Sequence, residues 1–347
     1  MMSRSHPGLS ALALLSMVGV AMWSGPSAAQ GQVTVYCSIL EEQCREGAAI
    51  FQRETGIKVS MIRRSTGETY AQIKAEANNP KGDVWWGGPA ESHIQAAEEG
   101  LLTAYQSPRL SDLQDWAIKH AEKTKYMTAG TYLGALGFGY NTEVLKAKGL
   151  PEPKCWADLT NPAFKDEIQV ADPASSGTAY LFVATIVQLM GEADGFTYLK
   201  ALNRNISQYT KSGIAPIKSM ALGESTVGIA FVHDMITQIL AGAPLKTVFP
   251  CEGTGYETGS VSLIKGSPSP ENARKFFDFA LGKEAQDIND RLKIYSIPSN
   301  KTAKVGELAP KLSDIKLIDY DAAKWGAAPE RTRLLKKFEL EVKSLAR

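Results

Sequence analysis

The sequence predicts an α/β fold built in two lobes with a ligand cleft between them. Three observations carry that expectation. Apolar runs of strand length repeatedly give way to helical spacing, small polar clusters sit at four of those strand-to-helix junctions, and the chain after position 29 is long enough for two separate cores. One junction is the most informative. Residues 227–235 read Val-Gly-Ile-Ala-Phe-Val-His-Asp-Met, an apolar run that delivers His233 and Asp234 side by side at its end. A buried strand of this kind opens at its carboxyl end into the crevice where open α/β sheets bind ligands. Taken alone, Asp234 could equally N-cap a helix over residues 235–241.

The first 29 residues read as an export signal. Arg4 supplies a short basic region, residues 9–23 an apolar one, and Ser27-Ala28-Ala29 a small-residue cleavage site, so the mature chain is expected to start near Gln30. No cysteine follows the cleavage site, so no lipid anchor is expected. No later stretch approaches the roughly 20 apolar residues that span a bilayer. The formal net charge is +1, of which Arg4 supplies one unit, and there is no basic block, which argues against a nucleic-acid surface.

Four cysteines, Cys37, Cys44, Cys155 and Cys251, follow the leader, and an even number in an exported protein favours disulfides. Three connectivities are open. Cys37 with Cys44, a short local loop, and Cys155 with Cys251, both in the second lobe, is the preferred pairing. The spacings lack Cys-x-x-Cys and histidines are few, so neither zinc nor any other cofactor is expected.

In chain order, residues 32–38 form a strand ending in small polar residues, and 41–55 a helix stopped by Gly56. Residues 57–62 form a second strand that runs through Arg63 and Arg64 into Ser65-Thr66-Gly67, at the start of a helix over 68–77. Hydroxyls and unpaired N–H groups at a helix start make an anion site without a fixed positive side chain, although Ser-Thr-Gly-Glu is also an ordinary capping box. Residues 83–89 are a short strand opening into Gly87 and Gly88, where backbone can approach a ligand and Trp85 or Trp86 could form a cleft wall. A helix over 90–99 follows. Residues 133–141 are glycine-rich and extended, the first crossing between lobes.

The second lobe repeats the design. A strand over 168–171 leads through Ser176-Gly177-Thr178 into a helix over 178–190, so two such helix starts suggest one anion pinned between two lobes. A helix over 215–222 precedes the His-Asp strand, and a strand over 246–250 follows it. Glycines around Glu257, at 252–259, mark the return crossing. Residues 270–287 form an amphipathic helix, and the charged tail from 321 to 347 is helical with Leu334, Leu335, Phe338 and Leu340 as its packing face. The expected division is a leader (1–29), lobe 1 (30–133 plus 261–300), lobe 2 (134–260) and a C-terminal helical segment (301–347) packing on the lobes.

The order of these motifs resembles the extracellular solute-binding proteins of ABC importers. Besides the leader, it is carried by Val35-Tyr-Cys-Ser38, Phe51-x-x-Glu-Thr-Gly-Ile-Lys-Val59, Asp83-Val-Trp-Trp-Gly-Gly88, Glu98-Glu-Gly-Leu-Leu102, Gly139-Tyr-Asn141, Asp172-Pro-x-Ser-Ser-Gly-Thr-Ala179 and Pro270-Glu-Asn-Ala-Arg-Lys-Phe-Phe-Asp-Phe279. The resemblance lies in the ferric-ion-binding-like branch and covers nearly the whole chain after the leader. It implies a type II-like periplasmic-binding-protein fold with two crossing strands. It also implies a periplasmic location, a monomer, and delivery of a small solute to an inner-membrane permease.

Iron binders of that branch carry two adjacent tyrosines where this chain has His233-Asp234. With Glu257 placed 23 residues beyond Asp234, the chain instead resembles the branch's hexose-phosphate binders. The resemblance implies a phosphate set of Ser38, Ser65, Thr66, Gly67, Gly88, Ser176, Gly177 and Thr178, and a sugar set of His233, Asp234 and Glu257. The chemistry agrees: a phosphate suits N–H and O–H donors at two helix starts, and carboxylates accept sugar hydroxyls through strong charge-assisted bonds. The same carboxylates could receive the ammonium of an aminoalkylphosphonate, and ferric ion is a weaker third reading. An enzyme is not expected, because neither Gly-x-Ser-x-Gly nor His-Glu-x-x-His occurs.

Overall fold

The computed structural model describes residues 1–2 and 31–345. The expected leader lies, apart from Met1 and Met2, outside the described residues. The chain alternates at once: β1 (Gln32–Cys37), α1 (Glu41–Thr55), β2 (Lys58–Arg63), α2 (Thr66–Ala75), β3 (Val84–Pro89) and α3 (Ala90–Glu98). The helix α1 stops where Gly56 turns left-handed, φ +71°, and returns its N–H to Gln52. A two-residue β4 (Leu102–Thr103) and α4 (Asp115–Lys123) lead into β5 (Ala129–Asn141), thirteen residues long and buried throughout.

The middle of the chain supplies α5 (Thr142–Ala147), β6 (Ile168–Ala171), α6 (Gly177–Met190), α7 (Glu192–Asn203), β7 (Ile206–Thr210), α8 (Ala215–Ala221), β8 (Val227–Phe231), α9 (Val232–Leu240) and β9 (Leu245–Val248). The return runs through β10 (Tyr256–Ile264), α10 (Pro270–Leu281), α11 (Lys283–Gln286), α12 (Ile288–Arg291) and β11 (Ile297–Pro298). Two last helices, α13 (Ala322–Gly326) and α14 (Ala328–Phe338), close it.

One sheet runs through both lobes in the order β2-β1-β3-β10-β5-β8-β6-β7. Its pivot is β5, which pairs antiparallel with β10 along Ala129–Ala135 and with β8 along Leu136–Tyr140. Parallel β2, β1 and β3 lie beyond β10, and parallel β8, β6 and β7 lie beyond β5. The first lobe packs Val35, Phe51, Trp86, Phe276 and Phe277. The second packs Phe138, Trp156, Phe182 and Phe231, together with Trp325, Leu334, Phe338 and Val342 of the tail. Both expected disulfides are present, Cys37–Cys44 and Cys155–Cys251. No helix among the described residues is long and apolar enough to cross a membrane.

The structure corrects four expectations. The helix expected over 270–287 ends at Leu281, because Gly282 is extended and separates α10 from two short turns. Trp85 and Trp86 are 0% and 4% exposed, so both are core and neither walls the cleft. The strand that carries His233 and Asp234 ends at Phe231, the N-cap of α9, so both residues lie in that helix's first turn and Asp234 is not the cap. Leu340 leaves the tail's packing face and is 61% exposed, while Val342 is fully buried. There the last turn, Glu339–Lys343, widens from α to π, which shifts the buried side. Leu334→Ala should therefore cost about 2–5 kcal/mol, as for a buried leucine. Leu340→Ala should stay within about 0.5 kcal/mol. Urea denaturation of the two variants checks the register of the tail.

Candidate functional site

Two helix N-termini meet across the cleft. Ser65 caps α2 in a capping box, its N–H donating to Glu68 Oε2 at 3.2 Å. Opposite it, Ser176 caps α6, and Thr178 lies in the first turn. First-turn N–H groups have no partner within their own helix, so each end presents donors and the positive end of a helix dipole. The cleft is lined by Ser38, Ser65, Thr66, Gly88, Ser176 and Thr178, and by His233, Asp234 and Glu257.

Nine of the eleven sequence-derived site residues thus share one cavity, and Gly67 and Gly177 do not line it. The N–H of Gly67 is spent on Ser175 O at 2.9 Å. A Cβ there would fall 2.2 Å from Ala174 O, and one on Gly177 would fall 2.9 Å from Pro89 Cδ. These glycines let the lobes touch beside the cleft. Gly88 does line it, with φ +87° and Thr66 Oγ1 only 2.4 Å from where a Cβ would sit. Ser38 is held from behind, its hydroxyl 3.0 Å from Thr69 Oγ1 and accepting from Trp85 Nε1 at 3.0 Å.

The acidic side is built on β5, β10 and α9. Glu257 pairs with Gly134 across the β10–β5 ladder. A Cβ on Gly134 would lie 2.3 Å from His233 Cε1, so only glycine leaves room for the imidazole. His233 Nε2 is 3.5 Å from Asp234 Oδ1 and 3.6 Å from Glu257 Oε1, and its Nδ1 is buried without a partner among the described residues. Phe231 stacks on the ring at 5.5 Å, and Tyr132 meets it edge-on at 6.0 Å.

Burial governs the protonation of this cluster. It pushes the Glu257 carboxyl well above the usual carboxylate range, and the negative charge of Asp234 adds to the shift. It also raises Asp234, against the pull of His233 and Arg63, and it lowers His233, favouring neutral imidazole. Burial and the neighbouring acids keep the Tyr132 hydroxyl protonated.

Sequence reasoning missed several lining residues. Arg63 is a fixed cation in a cleft expected to have none, held by Nε donating to Ile39 O at 3.1 Å. Its only sequence signal was its place at the end of β2, just before the Ser-Thr cap. Tyr132, Gly213, Phe231 and Ser296 also line the cleft, and Gln43 reaches Ser296 through Asn289 by contacts of 2.6 and 2.8 Å. A Cβ on Gly213 would fall 2.3 Å from Thr178 Oγ1.

Two lobes joined by shared strands, with a polar cleft between them, define a solute-binding protein. The chain belongs to the bacterial extracellular solute-binding proteins, whose family model matches residues 89–325. It is 46% identical to the periplasmic binding protein AfuA of Actinobacillus pleuropneumoniae, whose structure holds exogenous fructose 6-phosphate; the TM-score is 0.89, over 91% of this chain and 100% of that one. The periplasmic binding protein P5PA is 40% identical, with a TM-score of 0.88 over 90% of this chain and 100% of its own. A Salmonella typhimurium protein, provisionally named 2-aminoethylphosphonate-binding periplasmic protein, is 30% identical over 80% of this chain and 81% of its own. These relatives are transport components, not enzymes, and the chain is the solute-capturing part of an ABC importer.

The raised carboxyls have a thermodynamic consequence. A group whose pKa is higher folded than unfolded binds its proton more tightly when folded, so its contribution is present at low pH and is lost as pH rises. His233, His93 and His120 are lowered by burial and act the other way, so the effect is read as a difference: the ligand-free protein should lose stability relative to Glu257→Gln as pH climbs above the ordinary carboxylate range. Melting temperatures of both proteins between pH 5 and 8 check it.

Proposed function

We propose that this protein captures a hexose phosphate in the periplasm, after export by its N-terminal signal, and presents it to an inner-membrane permease. The observation that carries the reading is the division of one cleft into two chemistries. Hydroxyls and helix N-termini at Thr66, Ser176 and Thr178, with Ser38, Ser65, Gly88 and Arg63 beside them, suit a phosphate. His233, Asp234 and Glu257 suit a ring of hydroxyls. Similarity at 46% to a protein whose structure holds exogenous fructose 6-phosphate supports the same assignment.

The lobes are taken as residues 30–133 with 261–300, and 134–260, with the tail from 301 packed on them. Closure turns about the crossings at 133–141 and 256–260, as in other two-lobed cleft binders. An aminoalkylphosphonate is the second reading, supported by the Salmonella relative and by the acidic pair, which could receive an ammonium. Ferric ion is third, since His233 and Asp234 stand where iron binders of this branch carry tyrosines.

The two chemistries should fail differently. Thr178→Ala deletes one of several phosphate donors and should cost about 1–2 kcal/mol. Asp234→Ala strands sugar hydroxyls and should weaken hexose phosphate by roughly 10- to 150-fold. It should leave inorganic phosphate equal or tighter, because a negative charge has gone. Calorimetry with fructose 6-phosphate and inorganic phosphate decides the division, and equal losses on both would refute it. Native mass spectrometry for a co-purified solute separates sugar phosphate, aminophosphonate and metal by mass.

A further inference from the structure

Behind the cleft lies a buried charge that the ligand does not need. Arg331 on α14 is 1% exposed, and its guanidinium is only partly matched. Its Nη1 donates to Gln95 Oε1 at 2.7 Å, and its centre lies 4.5 Å from the ring centroid of Tyr180. Its Nε and Nη2 have no hydrogen-bond partner among the described residues, and neither has Oε2 of the buried Glu91 nearby. Burial pushes the Glu91 carboxyl up to about 7, against its own backbone N–H, the Tyr320 hydroxyl and the charge of Arg331.

Gln95 and Tyr180 belong to different lobes, and the ring of Tyr70 on α2 lies 5.8 Å from the same guanidinium. Gln95 is on α3, which follows Gly88 and Pro89 and packs through Ala96 beside Tyr36, Ile73 and Trp85. Tyr180 is on α6, in the turn that opens with Gly177 and Thr178, and shares the second-lobe core with Leu334 and Phe338 of α14. One guanidinium thus joins the helix after Gly88 to the helix that begins at Gly177. The approach is close: a Cβ on Gly326, just before α14, would lie 2.8 Å from Ile94 Cβ, and Ala328 N–H donates to Glu98 Oε2 at 2.7 Å.

A contact needed only to hold helices together is generally as stable with an apolar side chain in place of a buried ion. Unmatched buried donors and acceptors call for an explanation of their own. Groups that exchange partners between two arrangements of the lobes supply one. We propose that Arg331 is a positioning residue for ligand capture, a latch between α3 and α6 that favours the closed arrangement without touching the ligand. The proposal rests on the reading that a sugar phosphate lies in the cleft between the lobes.

A latch of this kind changes the closed population, so it changes the affinity of every enclosed ligand by one factor. A residue inside the cleft changes affinities ligand by ligand. Arg331→Met should weaken fructose 6-phosphate and glucose 6-phosphate by the same factor, roughly three- to thirty-fold, through faster dissociation. The ligand-free variant should also show a larger radius of gyration than the ligand-free wild type in small-angle scattering. Gln95→Met, which keeps the guanidinium and removes only its bond to α3, should move both readouts the same way by less, and it carries the comparison if Arg331→Met does not fold.

A merely structural role would lower the unfolding temperature and leave affinities and radius unchanged, and that result overturns the latch. So does a change in the ratio of the two affinities. If the wild type binds neither sugar phosphate, the functional reading falls, and the ligand-free radii alone judge the latch. A larger radius in the variant upholds it and equal radii overturn it.

Discussion

The cleft is referred throughout to one hydrogen-bonded ladder, β5 against β10. Its register sets Glu257 opposite Gly134 and Gly259 opposite Tyr132. The side-chain period of a strand is two, so a one-residue slip would turn Glu257 away from the cleft. The two glycines are the complement of that register. A Cβ on Gly134 would strike the His233 ring, and one on Gly259 would fall 2.2 Å from the Tyr132 ring. The same strand continues past Ala135 into the second lobe, where it pairs with β8 and brings the start of α9 to the cleft. One ladder therefore aligns residues from both halves of the chain.

Charge is distributed unevenly around that ladder. The lining of the cleft combines hydroxyls, two helix N-termini and Arg63, all of which attract an anion. It also holds two carboxyl groups whose burial disfavours ionisation, beside an imidazole whose burial favours the neutral form. Burial thus holds the two acidic groups close without a full pair of negative charges.

Much of the fold was legible because local rules decide it. The helix over 41–55 was readable from its spacing and its glycine stop, and the strand at 168–171 from its apolar run. The polar clusters of the cleft were readable because each sits at a strand-to-helix junction, where a cap and a ligand site draw on the same residue types. Where the reading failed, a distant contact made the decision. Gly67 looks like a phosphate-cradling glycine, yet its N–H meets Ser175, more than a hundred residues on. Leu340 has the right helical phase for the core, but the last turn widens, and Val342 takes that place.

By itself the sequence determined the α/β alternation, the even cysteine count that favours disulfides, and, as candidates, the two helix starts that can hold an anion and the acidic triad. Those depend on neighbours within a few residues or on composition. Only the tertiary structure decided that Arg63, Tyr132, Gly213 and Ser296 join the cleft, that Gly134 yields space to His233, and that Arg331 ties α3 to α6. Each of those depends on which face of a strand or helix meets another far along the chain, and pairing at that range is set by packing and by the register of β5 and β10, not by any local pattern.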